Sequence, residues 1–441
     1  MEKKQENDDY SFMQEQIKKR PINKKKLFKR AFMTGALAIM FGVIASLVFI
    51  LLEPALTKLV SPKEEKPSIS LPEVTLPEEV NEVLPEDMIQ EQEELDEKDK
   101  PAETIVQNNN IIQKLDLEIE DYQNLYGKLS DLAQEVNESM VVVMGSSSDV
   151  DWFSNVYEEQ RKVSGLMVAD NGRDLYIISN YSALAGATEF EVIFSDDSVC
   201  PGTVSAYDKA TNLIVISVPL SAIDSEIRAN LTYATLGNSN VGIREGDVVL
   251  AVGDPMGYSD SVGYGIITSL GSPINTTDHN YKLITTDIYG SRNAEGFLCN
   301  TKGQVIGVLN QKYNNSDLSN QISAIGISEL KHLIEDLSNQ VERPYFGTTL
   351  LEITPQAIAN GIPEGAFVRK LEMDSPAMEV GIVAGDIITG IDGVHITSAA
   401  EAEEKLRHYK PGDEVDVKFM RSAGDEYKEV NVTVTIGQKT E

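Results

Sequence analysis

Between Ser139 and about Ile327 the chain is cut by turn residues into short β-branched and aliphatic runs, and that rhythm limits the fold more than any other feature. Met140-Val141-Val142-Val143-Met144, Leu175-Tyr176-Ile177-Ile178, Phe190-Glu191-Val192-Ile193-Phe194, Leu213-Ile214-Val215-Ile216, Val248-Val249-Leu250-Ala251-Val252 and Val305-Ile306-Gly307-Val308-Leu309 are the clearest. Asp170-Asn171-Gly172, Ser195-Asp196-Asp197 and Thr301-Lys302-Gly303 lie between them. Such runs are short for helices, and many of them at this spacing predict an all-β barrel or sandwich. Leu115, Leu117, Ile119, Leu125, Leu129, Leu132 and Val136 recur at mostly helical steps and predict a lead-in helix over 111–137. Ser328 to Gln340, with Leu330, Leu333, Ile334 and Leu337 on one face, predicts a closing helix.

The last region, Tyr345 to about Ile436, mixes the two periodicities. Gly385 to Gly393 reads as a strand ended by the Asp392-Gly393 turn, and Ser398 to His408 as a helix capped by Ser398. Pro411-Gly412-Asp413 turns into the alternating strand Glu414 to Phe419.

Ahead of both regions, Ala31 to Leu52 is one uncharged apolar run, long enough for a helix that crosses a hydrocarbon core. Lys18, Lys19, Arg20, Lys24, Lys25, Lys26, Lys29 and Arg30 precede it, so the positive-inside rule places the N-terminus in the cytoplasm and the rest of the chain outside the cell membrane. A cleaved signal peptide fits less well, because the apolar core and its basic flank are both long. From Glu53 to about residue 110, prolines alternate with acidic runs such as Glu91 to Glu97. That composition buries too little to offset chain entropy and predicts a disordered stalk.

Charge and rare residues exclude several functions. The chain has 38 basic and 70 acidic residues, a net charge of −32, which repels nucleic acid. No nucleic-acid partner and no cofactor are expected. Cys200 and Cys299 have no metal or redox spacing and sit among apolar residues, which favours two buried thiols over a disulfide. His279, His332, His395 and His408 are scattered without the spacing of a metal site.

Four segments resemble motifs of one family, in its order. Ala234-Thr235-Leu236-Gly237-Asn238-Ser239 is similar to "A-x-L-G-D-S", and Glu245 to Gly257 to "V-G-D-x-V-x-A-I-G-N-P-x-G". Gly265-Ile266-Ile267-Thr268-Ser269-Leu270-Gly271 is similar to "G-I-V-S-A-L-G", and Gly303-Gln304-Val305-Ile306-Gly307-Val308 to "G-x-V-I-G-I". The chain thus resembles the HtrA/Deg serine proteases over about residues 130–438. The resemblance implies a mainly β fold, with a trypsin-like double β-barrel over 111–340 and an α+β PDZ domain over 343–438. Before these would come the 1–30 basic tail, a transmembrane helix at 31–52 and a stalk at 53–110.

The resemblance also locates a catalytic triad, and the residues there depart from it. A serine protease needs a nucleophilic hydroxyl, an imidazole that takes its proton and a carboxylate that orients the imidazole. The family's His lies in "T-N-x-H-V", where this chain has Ser179-Asn180-Tyr181-Ser182-Ala183, which puts Tyr181 there. Its Asp opens "D-L-A-V-L", matched by Asn212-Leu213-Ile214-Val215-Ile216, which puts Asn212 there. Its Ser lies in "G-N-S-G-G-P-L", matched by Arg292-Asn293-Ala294-Glu295-Gly296-Phe297-Leu298. Ala294 thus replaces the nucleophile, and Arg292 replaces a glycine of the oxyanion hole. No histidine precedes His279, and an ordinary phenol, with a pKa of about 10, is a poor substitute base. These departures predict a pseudoprotease that is not an enzyme. It would bind unfolded polypeptides or protein C-termini, with a scaffold, sensor or regulatory role in protein quality control. The alternative is a serine endopeptidase with residual or rebuilt activity, for instance through Ser291 and His279, although His279 reads more simply as an exposed turn residue. A third reading is structural, with stalk and barrel presenting the PDZ domain.

For the PDZ segment the resemblance implies a peptide site. Tyr345-Phe346-Gly347-Thr348 stands where the family's loop aims backbone N–H groups at a C-terminal carboxylate. A bound peptide would add as a strand beside Thr348 to Leu350 and face the helix near Leu406. The competing expectation is that Phe346 and Leu350 are core residues. Family members often form trimers, so a homotrimer, or a mixed oligomer with an active relative, is also expected.

Overall fold

The computed structural model describes Met40 and residues 67–72, 118–150, 156–314, 319–424 and 426–440. The expected anchor apart from Met40, the basic tail, and the stalk apart from 67–72 lie outside these residues, as do Leu115 and Leu117 of the expected lead-in helix. Among the described residues no helix is long and apolar enough to cross a membrane.

Helix α1 (Ile119–Asn137) leads into a closed six-stranded barrel. Its strands are β1 (Met140–Val150), β2 (Val156–Asp170), β3 (Asp174–Asn180), β4 (Glu189–Ile193), β5 (Val199–Asp208) and β6 (Leu213–Pro219), in the order β1-β2-β3-β6-β5-β4. A short helix, α2 (Tyr181–Leu184), follows β3 directly. The second closed barrel has β7 (Val248–Asp254), β8 (Ser261–Thr276), β9 (His279–Tyr289), β10 (Glu295–Asn300), β11 (Val305–Leu309) and β12 (Gln321–Gly326), ordered β10-β11-β12-β9-β8-β7. Helix α3 (Ile327–Asn339) closes it and buries Leu330, Leu333, Ile334 and Leu337, the stripe expected from the sequence.

The uninterrupted aliphatic runs have a physical reason. In β6, Ile214, Ile216 and Val218 fill the first barrel, while Leu213 and Val215 face a separate cluster between the barrels. β10 does the same in the second barrel: Leu298 points inward, and Phe297 and Cys299 point to the joint. Strands buried on both faces lose the polar half of the two-residue alternation. Phe297 is fully buried at the joint, and its truncation to Ala would cost about 3–5 kcal/mol. Cys200 and Cys299 are both free and buried.

One part of the expected stalk behaves differently. Residues 67–72 lie extended against α3, with Ile69 and Leu71 buried. The Asn339 side chain clasps Ile69, accepting its N–H at 2.9 Å and donating to its carbonyl at 2.9 Å. Lys331 Nζ donates to the Pro72 carbonyl at 3.1 Å. The alternation Ile69-Ser70-Leu71 supplies an apolar face that the acidic, proline-rich composition around it conceals.

The C-terminal domain follows. It holds β13 (Pro344–Tyr345), β14 (Thr348–Glu352), β15 (Ala366–Leu371), β16 (Ile387–Ile391), β17 (Val394–His395), helix α4 (Ala399–Arg407), β18 (Glu414–Ala423), β19 (Glu426–Thr435) and β20 (Gly437–Gln438). The main sheet runs β14-β15-β16-β18-β19, with β17 on β16, and β13 pairs with β20. β14 is therefore an edge strand. Ser398 caps α4 as expected, its side chain accepting the Glu401 N–H at 3.2 Å.

Candidate functional site

Chemistry gathers at two places: the seam between the barrels and the outer edge of β14. At the seam, Tyr181 opens α2 and Asn212 precedes β6. Asn212 has φ +61°. Its carbonyl accepts the Tyr181 N–H at 2.9 Å, and its Oδ1 accepts the Ser182 N–H at 2.7 Å. The Tyr181 ring stacks on Tyr207 at 4.5 Å between centroids. Asn180, next to Tyr181, bridges to the other barrel: it donates to the Leu309 carbonyl at 3.1 Å and accepts the Gly296 N–H at 3.2 Å. The two halves of the expected triad thus meet across one buried asparagine. Ala294 is buried just before β10, and Arg292 is exposed. The turn between them spends its own donors: Ala294 N–H goes to the Ser291 carbonyl at 3.1 Å and Asn293 N–H to Ser291 Oγ at 3.1 Å.

Glu295 lies in the segment matched to the family's Ser motif, but its pairing with a second acid, Asp254, is not legible in the sequence. Glu295 in β10 stands directly opposite Asp254 in β7, which brings their Cβ atoms to about 5 Å on one face. Asp254 is buried; its Oδ2 accepts the Ser164 N–H at 2.9 Å, while Oδ1 finds no partner among the described residues. Burial, then the neighbouring Asp254 charge, pushes the Glu295 carboxyl up to about 8. Gly296 beside it has φ +116°, and any Cβ there would strike the Val252 carbonyl, so only glycine fits.

The structure separates Ser291 from His279. His279 opens β9 and Ser291 lies two residues past its end, and the strand's eleven residues span roughly 35 Å. His279 is also not the exposed turn residue expected from the sequence. It is packed at the base of the C-terminal domain, and burial, with Arg407 and Lys439 nearby, pushes its imidazole down to about 4.

The second place gathers the residues expected to bind peptide. The N–H groups of Phe346, Gly347 and Thr348 converge on one carboxylate, at 3.0, 2.8 and 2.9 Å. Gly347 has φ +86°, and a Cβ there would collide with Ser375. Tyr345 lies in the short β13–β20 pair, one residue before the converging amides. Phe346 and Leu350 are buried in the domain core, as the competing expectation has it, and Leu406, expected to face the peptide, is buried there with them. The carboxylate comes from Asp278, at the tip of the β8–β9 hairpin and next to His279.

Residues 163–308 match the family "Trypsin-like peptidase domain", and residues 334–434 match the family "PDZ domain". The "Serine protease Do-like HtrA" of Bacillus subtilis (strain 168) is 27% identical over 345 residues, covering 71% of this chain and 74% of that one. A "Probable periplasmic serine endoprotease DegP-like" of Halomonas elongata is 30% identical over 288 residues, 64% of this chain and 57% of that relative, so less than two thirds of its length is spanned. Among solved structures, "HtrA-type protease AlgW with decapeptide" superposes with a TM-score of 0.53 at 22% identity, covering 71% of this chain and 99% of that one. That likeness concerns the fold.

These findings correct the expectation that the chain is not an enzyme. Its barrel pair matches a peptidase domain and its relatives are named serine proteases. The substitutions at Tyr181, Asn212 and Ala294 alter the usual relay and do not by themselves establish loss of activity.

Proposed function

Because this chain belongs to the HtrA family, a trypsin-like peptidase domain followed by a PDZ domain, we propose that it handles polypeptides in protein quality control through a C-terminus-binding PDZ loop. The observation that carries this reading is the convergence of the Phe346, Gly347 and Thr348 N–H groups on a carboxylate. Such a nest of backbone donors on an edge strand is how a chain terminus is captured. The basic stretch Lys18 to Arg30 and the apolar run Ala31 to Leu52 support a location on the outer side of a cell membrane, tethered by that run. Ile119, Tyr122, Leu125 and Tyr126 are exposed on α1, a face that supports a homo-oligomer or a mixed oligomer with a relative.

A second reading, an endopeptidase with rebuilt chemistry, has its own observation in the Asp254–Glu295 pair. A carboxyl that keeps its proton near neutral pH beside a second carboxylate is an acid–base couple. Water would attack the peptide carbonyl carbon as Asp254 takes its proton and Glu295 gives one to the carbonyl oxygen. On collapse the C–N bond breaks as Asp254 passes its proton to the amine nitrogen and Glu295 takes one back from a hydroxyl of the gem-diol, leaving a carboxylic acid, a free amine and both acids as they began.

Two assays test these readings on the full chain. A peptide pool bound equally well as free carboxylate and as C-terminal amide overturns the PDZ reading. Hydrolysis of unfolded casein that falls at least ten-fold in Asp254→Asn and in Glu295→Gln supports the second reading. No hydrolysis, or hydrolysis untouched by both changes, overturns it.

A further inference from the structure

We propose that the turn Thr277–Asn280 is a built-in competitor for polypeptide C-termini, its Asp278 carboxylate occupying the loop that would receive them. The proposal rests on the PDZ reading above and adds what fills that site when no client is bound.

The geometry is that of a ligand. Asp278 Oδ1 accepts from Gly347 and Thr348, and Oδ2 from Phe346 and Gly347, at 2.8 to 3.0 Å. Charge-assisted bonds of this kind are the strong ones. The hairpin also uses the free edge of β14 as an added strand would. Carbonyls two residues apart on an edge point the same way, and here both are taken. Thr348 O accepts the Asp278 N–H at 2.7 Å, and Leu350 O accepts from Asn280 Nδ2 at 3.1 Å. Across the groove, Glu403 of α4 accepts the Asn280 N–H at 2.9 Å. At the rim, Thr277 Oγ1 donates to Glu372 at 3.0 Å. The turn therefore spans the groove from strand to helix, the space a peptide would need.

Asp278 itself has φ +64°, a conformation that Asp tolerates better than most residues. A turn needing only solvent exposure would not require this residue to be seated in a nest of three amides. Both strands that carry the turn also run back to the seam. β8 begins at Ser261, whose Oγ accepts the Met256 N–H at 3.2 Å beside Asp254, and β9 ends at Tyr289, just before Ser291. Displacing the turn would thus release an element built into the second barrel.

The test compares the full-length parent with Asp278→Ala and Asp278→Asn. The probe is a fluorescent decapeptide pool with its last four positions randomised, as free carboxylate and as amide. The expected result is carboxylate binding at least ten-fold tighter in Asp278→Ala than in the parent. Asp278→Asn should fall between, because it keeps an acceptor without the charge, and the amide pool should not change. Equal carboxylate affinity in parent and variants overturns the proposal. Hydrogen exchange at Phe346, Gly347 and Thr348 separates the two claims if no pool binds. Amides that become exchangeable in Asp278→Ala, with no binding, overturn the PDZ reading and the competitor with it. Amides that stay protected show that Asp278 does not hold the loop, and overturn the competitor alone.

Discussion

Asp208 and Arg343 meet at 2.7 Å, joining the last residue of β5 to the link between α3 and β13. Lys439 adds a second contact to the same oxygen at 3.2 Å. The first barrel therefore grips both ends of the PDZ domain through one fully buried carboxylate. Burial would raise this acid, but Lys439 and Arg343 with the Thr211 N–H outweigh it and hold it well below the usual carboxylate range.

Breaking that clamp removes the buried carboxylate that Arg343 and Lys439 share. Asp208→Asn should cost about 3–5 kcal/mol, read by urea denaturation at pH 7. A depressed folded pKa stabilises above the unfolded value and is lost as pH falls through the folded one. The parent should therefore lose this contribution progressively below about pH 4, and the variant, having none, should not. Equal acid sensitivity in both would show that the clamp contributes little.

Glu295 has the opposite sign. Its folded pKa, about 8, lies above the unfolded value, so the folded chain holds the extra proton and stability drops as pH rises from about 4.5 to 8. Glu295→Gln should remove that drop, leaving denaturation midpoints at pH 5 and pH 8 closer together than in the parent. An unchanged pH slope would mean that the acid is solvated.

The residues at the seam can be exchanged for those the family resemblance implies. Tyr181→His, Asn212→Asp and Ala294→Ser together with Arg292→Gly should raise casein hydrolysis at least a hundred-fold over the parent, since each relay member matters by orders of magnitude. The gain should vanish with a serine-directed phosphonylating reagent. No gain from the folded quadruple variant would mean that these positions are misassigned.

Burial pushes the Cys299 thiol up to about 12 and the Cys200 thiol upward as well. A thiol reagent at neutral pH should therefore find neither in the native chain and both in denaturant. Rapid native labelling at either position would contradict their burial.

Much of the fold is legible in the sequence because its signals are local. The aliphatic runs of β3, β6, β7 and β11 are nearly continuous since both faces are buried, and Ser398 marks the start of α4 by its own hydrogen bond. Gly347 is placed by the resemblance of its loop to the family's, and the structure adds that a side chain there would collide with Ser375. What was hidden depends on distant partners. Asp278 and Gly347 lie 69 residues apart, and Thr277-Asp278-His279-Asn280 has the composition of any solvent-facing turn. Asp254 and Glu295 are likewise neighbours only through the β7–β10 pairing. Ile69 and Leu71 are masked by the prolines and acids around them, and only α3 gives their alternation a surface to cover.

The most direct test of the account follows backbone amide NMR shifts of the full chain while a decapeptide pool with free C-terminal carboxylates is added. The account predicts the largest shifts at Phe346, Gly347 and Thr348, accompanied by Asp278 and Asn280 as the turn leaves, and no such response to the amidated pool. Shifts confined to the barrel seam, or equal for both pools, would contradict it.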